Sequence, residues 1–272
     1  MLDFKTLIFL NLAINVINLA TMSILWRRYG NRYDGLAFWW IAMAMHVAGI
    51  GLILLRGMLP GFIAIVLGNA LLLFTPVLMH IGTARFTGKT TRNWHNYVAY
   101  SVYVLSLYYF SEVEPDLASR TIALSVLIVF VYTQTCWLVF VSIPGSMLRI
   151  TLPLGLVFAG YVAISLVRIG ILVRFSQEAE IIRTGVADSV AITSIISLHI
   201  CLIISIVLAL SRRLLEEVRA QEEKFSKAFQ TSPYALIIVR GRGGGIVEVN
   251  RGFSEIFGYS REDAIDKPLA EL

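Results

Sequence analysis

Three histidines stand inside long apolar runs: His46, His80 and His199. His46 and His199 fall near the middle of their runs, so two imidazoles can meet at one depth. Such a pair can ligate haem or another metal, or hydrogen-bond a quinone. The plainer alternative is a neutral histidine bonded to a neighbouring helix. Arg168 lies about two turns inside the end of another apolar run, where a cation must snorkel to the interface or meet a polar cavity. In a cavity it would hold an anionic or polar ligand, and Asp188, opening the next run, is its closest partner by topology. Asn11, Asn15 and Asn18, spaced four and three apart, share one helix face and must turn away from lipid. Hydrogen bonding between helices accounts for them, with ligand contact as the alternative. Asn69 and Thr133-Gln134-Thr135 are their expected companions.

Other chemistries lack their residues. Cys136 and Cys201 both sit in apolar runs, without zinc, CxxC or disulfide spacing. A retinal Schiff base needs a lysine in the last run, and residues 186–210 contain none. The cluster Gly241–Gly245 lacks the Gly-Lys-Ser/Thr ending of a phosphate loop and leads into a strand, which makes it a hairpin turn.

The elements that must position these residues are membrane helices. The 272 residues are 57% hydrophobic and 15% charged, with a mean hydropathy of +0.74. Soluble domains are nearer 45–50% apolar and about 25% charged. A bilayer core takes roughly 20 apolar residues per helix. Seven such spans are expected at Phe4–Leu25, Gly35–Leu55, Pro60–Ala84, Asn96–Phe110, Thr121–Ser142, Leu148–Val173 and Val186–Leu210. The first is too long for a signal-peptide core and ends in Trp26-Arg27-Arg28, the anchor of a retained helix.

Loop charge orients the bundle. Arg27, Arg28, Arg32, Arg85, Lys89, Arg92, Arg149, Arg212 and Arg213 all fall on one side, while Glu112, Glu114 and Asp116 mark the other. The positive-inside bias then puts the N-terminus outside and the C-terminus in the cytoplasm. The net charge of +5 arises at these helix ends, where it meets anionic lipid, so nucleic acid is not an expected partner. The outer loops are too short for a separate ligand-binding domain of roughly 50 residues, so any receptor site belongs to the bundle or its outer mouth.

From Ser211 the texture changes to SRRLLEEVRAQEEKFSKAF. Leu214, Val218, Gln221, Phe225 and Ala228 form a short heptad seam with one polar position. It reads either as a continuation of the seventh span or as a parallel homodimer stalk over 211–226. Ala235–Arg240 and Ile246–Asn250 then read as strands, and Arg251–Gly258 as a short helix.

The segment from Phe225 resembles the start of a PAS domain. Its marks are Phe225 and Phe229, Ser232-Pro233, Leu236-Ile237-Ile238, Gly245-Ile246, Val249-Asn250, Phe253, Phe257-Gly258-Tyr259-Ser260 and Glu262-Asp263. Two departures stand out: Arg240–Gly245 replaces the usual Asp-x-x-Gly turn, and Asp266 replaces the usual glycine before Lys267. A flavin photosensor of the LOV type would need Asn-Cys after Gly-Tyr-Ser, where Pro268 and Leu269 stand. The resemblance covers the first half of an α+β PAS fold, too little to close that fold's usual core.

The expected organisation is an all-α seven-helix membrane bundle (1–210) and a helical linker (211–226), read from the apolar runs and the seam, followed by the N-terminal part of a PAS domain (227–272), which the resemblance implies. Bacterial inner-membrane sensors share this layout. The N-terminal region also resembles membrane regions that precede GGDEF cyclases or histidine kinases, through Arg56-Gly57-x-Leu59-Pro60, Gly68-Asn69-Ala70 and Ala84-Arg85-Phe86. Met45-His46 and Met79-His80 are similar to the Met-His step of MHYT sensors, without the following Tyr-Thr. The chain carries no kinase His box, ATP site or GGDEF signature, so the expectation is a signal receptor, not an enzyme, whose output domain lies elsewhere. The rival readings are a transporter or channel with a regulatory tail, and an intramembrane haem or quinone redox protein on His46 and His199.

Overall fold

The structure, a computed structural model, describes residues 4–174, 186–241, 244–268 and 271. The first apolar run forms α1 (Phe4–Tyr29), with Arg27 and Arg28 in its last turn. α2 (Leu36–Leu54) follows. A π-helical stretch, Phe62–Leu67, leads into α3 (Gly68–Phe86). α3 ends in a reversal at Gly88, whose φ of 73° suits a residue without Cβ. The last carbonyls are met there by Gly88 N–H to Arg85 (3.0 Å) and Lys89 N–H to Ala84 (2.8 Å).

α4 (Trp94–Tyr108) runs on into a π turn, Tyr109–Val113. Asp116 then caps α5 (Leu117–Trp137), accepting from the N–H groups of Ala118 and Ser119 at 3.0 and 3.1 Å. α5 also ends in a π turn, Leu138–Ser142, ahead of α6 (Gly145–Arg174). α7 spans Val186–Thr231 as one helix, so the seventh apolar run and the charged segment after it share an element.

Among the described residues, six helices are long and apolar enough to cross a membrane: Thr6–Tyr29, Leu36–Leu54, Phe62–Phe86, Leu117–Ser142, Gly145–Arg174 and Ile192–Thr231. The expected fourth span, Asn96–Phe110, is a helix but is not one of the six. Its apolar positions are interrupted by Asn96, Ser101 and Ser106 and share the helix with several tyrosines.

The bundle is apolar outside as well as inside. Val66, Leu73, Val77 and Ile81 of the α3 region pack with Tyr103, Leu107, Leu127 and Val131 from α4 and α5. Phe9, Ile17, Ile24, Leu156 and Val167 meanwhile face outward. Water would penalise that second set, and lipid would not. α2 and α3 approach closely because small residues line their crossing: a Cβ at Gly49 would lie 2.7 Å from the Gly68 carbonyl oxygen. Fully buried Trp39 packs at a tilt against Phe86, ring centres 5.1 Å apart, and donates to the Met79 carbonyl at 3.4 Å.

The chain divides into two compact units, Met1–Leu210 and Ser211–Leu272. In the second, β1 (Ile237–Val239) and β2 (Ile246–Val249) pair antiparallel, with Ile237 opposite Val249, Ile238 opposite Glu248 and Val239 opposite Ile246. The irregular step between Ile238 and Val239 leaves Val247 unmatched. The turn between the strands holds Gly244 at φ 66°. The short helices α8 (Arg251–Phe257) and α9 (Arg261–Ala264) follow. Ile246, Val249, Phe253 and Ala264 form a small core. The segment at Asp266–Pro268 adds to the free edge of β2, through Asp266 N–H to the Ile246 carbonyl (2.9 Å) and Ile246 N–H to the Lys267 carbonyl (3.0 Å). Ile238, Val247 and Phe257 lie outside this core and stay exposed.

Candidate functional site

α2 and α7 bring His46 and His199 together, with ring centres 4.4 Å apart and planes 41° from parallel. α7 is tied to its neighbours at this level. Asn18 of α1 donates to the His199 backbone carbonyl at 3.3 Å, and Tyr161 of α6 meets His199 Nδ1 at 3.0 Å. The same Nδ1 lies 2.8 Å from the Ile195 carbonyl, which can only accept. Nδ1 therefore carries the proton, and the Tyr161 hydroxyl proton is left to point elsewhere. Nδ1 of His46 is buried and has no hydrogen-bond partner among the described residues.

These groups line a cavity of about 180 Å³ inside the bundle. Arg168 lines it too, seven residues along α6 from Tyr161 and so on the same face, with Asn11 reaching it from α1. The remaining wall is mainly aliphatic, from residues such as Ile50, Leu72, Ile128 and Ile195. Thr75 and Ser125 also line it, but their hydroxyl protons go to the backbone carbonyls of Ala42 (3.2 Å) and Thr121 (2.9 Å).

Of the residues singled out in the sequence, His46, His199 and Arg168 thus meet at one cavity. Asn15 stands behind it, 3% exposed, with its amide donating to the Asn11 backbone carbonyl (2.8 Å) and Oδ1 (2.7 Å). The Asp188 side chain lies outside the described residues. Tyr161 was missed; it shares the face of Arg168 on α6, but only the packing of His199 against it marks it out.

The expected companions of the asparagine face are corrected. Asn69 bonds its own helix, donating to the Ile65 carbonyl at 2.7 Å. Thr135 and Gln134 belong to a second polar cluster, because their turn of α5 faces α3 and α4. His80 Nδ1 meets Thr135 Oγ1 at 3.0 Å, and His95 Nε2 meets Gln134 Oε1 at 2.7 Å. Gln134 in turn donates to Asn96 Oδ1 at 2.9 Å. This cluster borders a wider cavity of about 490 Å³ with Thr133, Arg92 and Trp137 on its wall.

The histidine pair does not fit haem. Across an iron the two ligating nitrogens alone would stand about 4 Å apart, with both ring centres farther out. Ring centres at 4.4 Å leave no gap for a porphyrin plane. Nor do the described residues hold any group of three or more histidine, cysteine or acidic side chains that could hold a metal ion.

In the C-terminal unit Asn250, 1% exposed, is the organising residue. Its Oδ1 accepts from Leu236 N–H (2.8 Å) and Phe253 N–H (2.9 Å), capping α8 while pinning the entry to β1. Its Nδ2 donates to the carbonyls of Phe229, Tyr234 (both 2.9 Å) and Ser232 (3.3 Å). Gly252 lets this chain segment close in, since a Cβ there would lie 2.6 Å from the Tyr234 carbonyl oxygen. Arg261 grips Glu248 with two bonds, 2.7 and 2.9 Å. That hydrogen bonding holds the Glu248 carboxyl below its usual range and raises the guanidinium. Asp266 takes φ 62°, the conformation in which a glycine is least strained.

Residues 223–272 match the family model of the PAS domain. No curated protein and no solved structure matches the chain. The C-terminal unit thus carries a PAS-domain segment, a sensory type of module, and the apolar helices before it suit the N-terminal unit to a membrane.

Proposed function

We propose that the chain is the receptor part of a bacterial inner-membrane signalling protein, in which a stimulus read within the helix bundle passes along α7 to the PAS segment. The observation that carries this reading is the continuity of α7. One helix holds the cavity-lining Ile192, Ile195 and His199 and runs on to Thr231, inside the stretch that matches the PAS model. A ligand with unequal affinity for two packings of the bundle would bias the position of that helix.

The bundle in this reading has seven spans, with the N-terminus outside and the C-terminus in the cytoplasm. α4 supports the count in two ways. With its π turn it covers Trp94–Val113, about 30 Å at 1.5 Å per residue, close to the thickness of a bilayer core. Its outward residues Val98, Val102 and Leu105 are more than half exposed, while Tyr103 and Leu107 pack inward. Cysteines placed at Lys89 and Glu112 should then be labelled from opposite sides of the membrane. Labelling from one side would remove α4 from the count.

The chain itself is proposed to carry no enzymatic activity; a histidine kinase or diguanylate cyclase would supply the output. Residues 211–226 are proposed to pair in a parallel homodimer, supported by Val218 (47% exposed) and Phe225 (61% exposed) on the seam. In a background with Cys136 and Cys201 replaced by alanine, Leu214→Cys and Val218→Cys should crosslink between chains in membranes. Monomeric bands at both positions would sink the dimer.

A further inference from the structure

We propose that the cavity between His46, Tyr161 and Arg168 binds the head group of a membrane quinone. This rests on the reading of the bundle as the receptor and names the class of molecule it receives.

Size comes first. A cavity of about 180 Å³ is close to one that holds a single benzene ring, which is roughly 150 Å³. It therefore admits one substituted ring and excludes a four-ring macrocycle or a coiled acyl chain. A quinone needs only its ring enclosed, because its apolar tail is solvated by lipid.

Hydrogen bonding comes second. The cavity wall holds polar groups that other described residues leave open to a ligand, at Tyr161 and His46. Nδ1–H of His199 points to the Ile195 carbonyl, which leaves the Tyr161 O–H to donate into the cavity. His46 Nδ1 is buried and unpartnered among the described residues, an unfavourable state that a ligand's polar atom would relieve. Thr75 and Ser125 direct their protons to backbone carbonyls, so they do not compete for an acceptor. The Tyr161 O–H thus calls for an acceptor in an apolar setting, as a ring carbonyl is, and His46 lies beside it.

Spacing comes third. Tyr161 and Arg168 are seven residues apart on one face of α6, about 10.5 Å along its axis. A ring with two opposed carbonyls is roughly 5 Å from oxygen to oxygen. With a hydrogen bond of about 2.8 Å at each end it spans roughly 10.6 Å, a length that side chains two turns apart can bracket. The imidazole and phenol groups would hold one oxygen and the guanidinium, with its five N–H donors, the other.

The test uses the full chain in phosphatidylethanolamine–phosphatidylglycerol nanodiscs with radiolabelled decylubiquinone. The chain also carries Val218→Cys in the background lacking Cys136 and Cys201, so that crosslinking is read on the same samples. Saturable binding of one quinone per chain above empty nanodiscs is expected. Tyr161→Phe and His46→Leu should each weaken it about tenfold, the value of one hydrogen bond. Thr133→Val, in the other cavity, should leave it unchanged. Uptake equal to empty nanodiscs, or saturable uptake indifferent to both substitutions, overturns the quinone assignment whatever the crosslinking does. Binding with the expected sensitivity but no change in Val218→Cys crosslinking upholds the assignment and overturns the receptor reading instead.

Discussion

Asn250 and His46 are both polar side chains in enclosed surroundings, and the two units treat them in opposite ways. Around Asn250 every donor and acceptor of the side-chain amide is answered, by two backbone N–H groups and three carbonyls. Around His46 the nearest ring belongs to another histidine, and Nδ1 has no partner among the described residues. A satisfied network fixes one backbone conformation, whereas an unsatisfied group in a cavity favours whatever fills it. The contrast is between a residue whose polar atoms are all used in the fold and one whose ring nitrogen the described residues leave unpaired.

The sharpest way to break that comparison is to remove each polar group in turn. Asn250→Ala strips five bonds from buried or half-buried backbone, and a loss of about 3 kcal/mol or more is expected. Hydrogen exchange should show it as collapse of protection across residues 235–253. Gly252→Ala should cost about 2 kcal/mol, because the new methyl must push the Tyr234 carbonyl away in a segment with no flexible side chain to yield. His46→Leu should do the reverse in the bundle, raising thermal stability in ligand-free detergent by about 1 kcal/mol through removal of an unpaired polar atom. A loss as large as that of Asn250→Ala would show that His46 is structural, and the contrast would fail.

Smaller effects sharpen the picture within the PAS segment. Asp266→Gly should stabilise it by about 1 kcal/mol, since the ion pair with Arg240 is exposed at 3.7 Å and offsets little of the positive-φ strain. Glu248 supplies the smallest effect. Its folded-state pKa is depressed by Arg261, so its contribution is present above the usual glutamate range and is lost as pH falls through the folded value. Exchange protection at Ile246–Val249 should therefore weaken from pH 7 to pH 3, and Glu248→Gln should remove that dependence.

Much of this molecule was legible in its residues. The apolar runs predicted helices at Phe4, Gly35, Pro60, Thr121, Leu148 and Val186 because a long apolar run can satisfy its own backbone only as a helix, so length and composition mark it. The motifs from Phe225 to Asp263 predicted the strand–turn–strand–helix order for a related reason: turn glycines and helix caps act locally. Near the site, His46, His199 and Arg168 were legible as misfits in an apolar background. Tyr161 was not, because a tyrosine in an apolar run is unremarkable until the neighbouring imidazole is known. The pairing of Gln134 with His95 and Asn96 was equally hidden, since polar residues on three helices can be matched in several ways.

The sequence by itself determined the long apolar helical runs that suit a membrane, the basic helix ends and the PAS-like motif order, since each follows from local composition or short spacing. Only the tertiary structure decided which polar residues meet. That His46 faces His199 across 4.4 Å, that Asn15 supports Asn11, and that His80 and Gln134 belong to a different cavity depend on how helices rotate and cross. Those rotations are set by close approaches such as Gly49 on Gly68 and by the summed packing of many side chains. No single residue carries that information, so no local pattern could have displayed it.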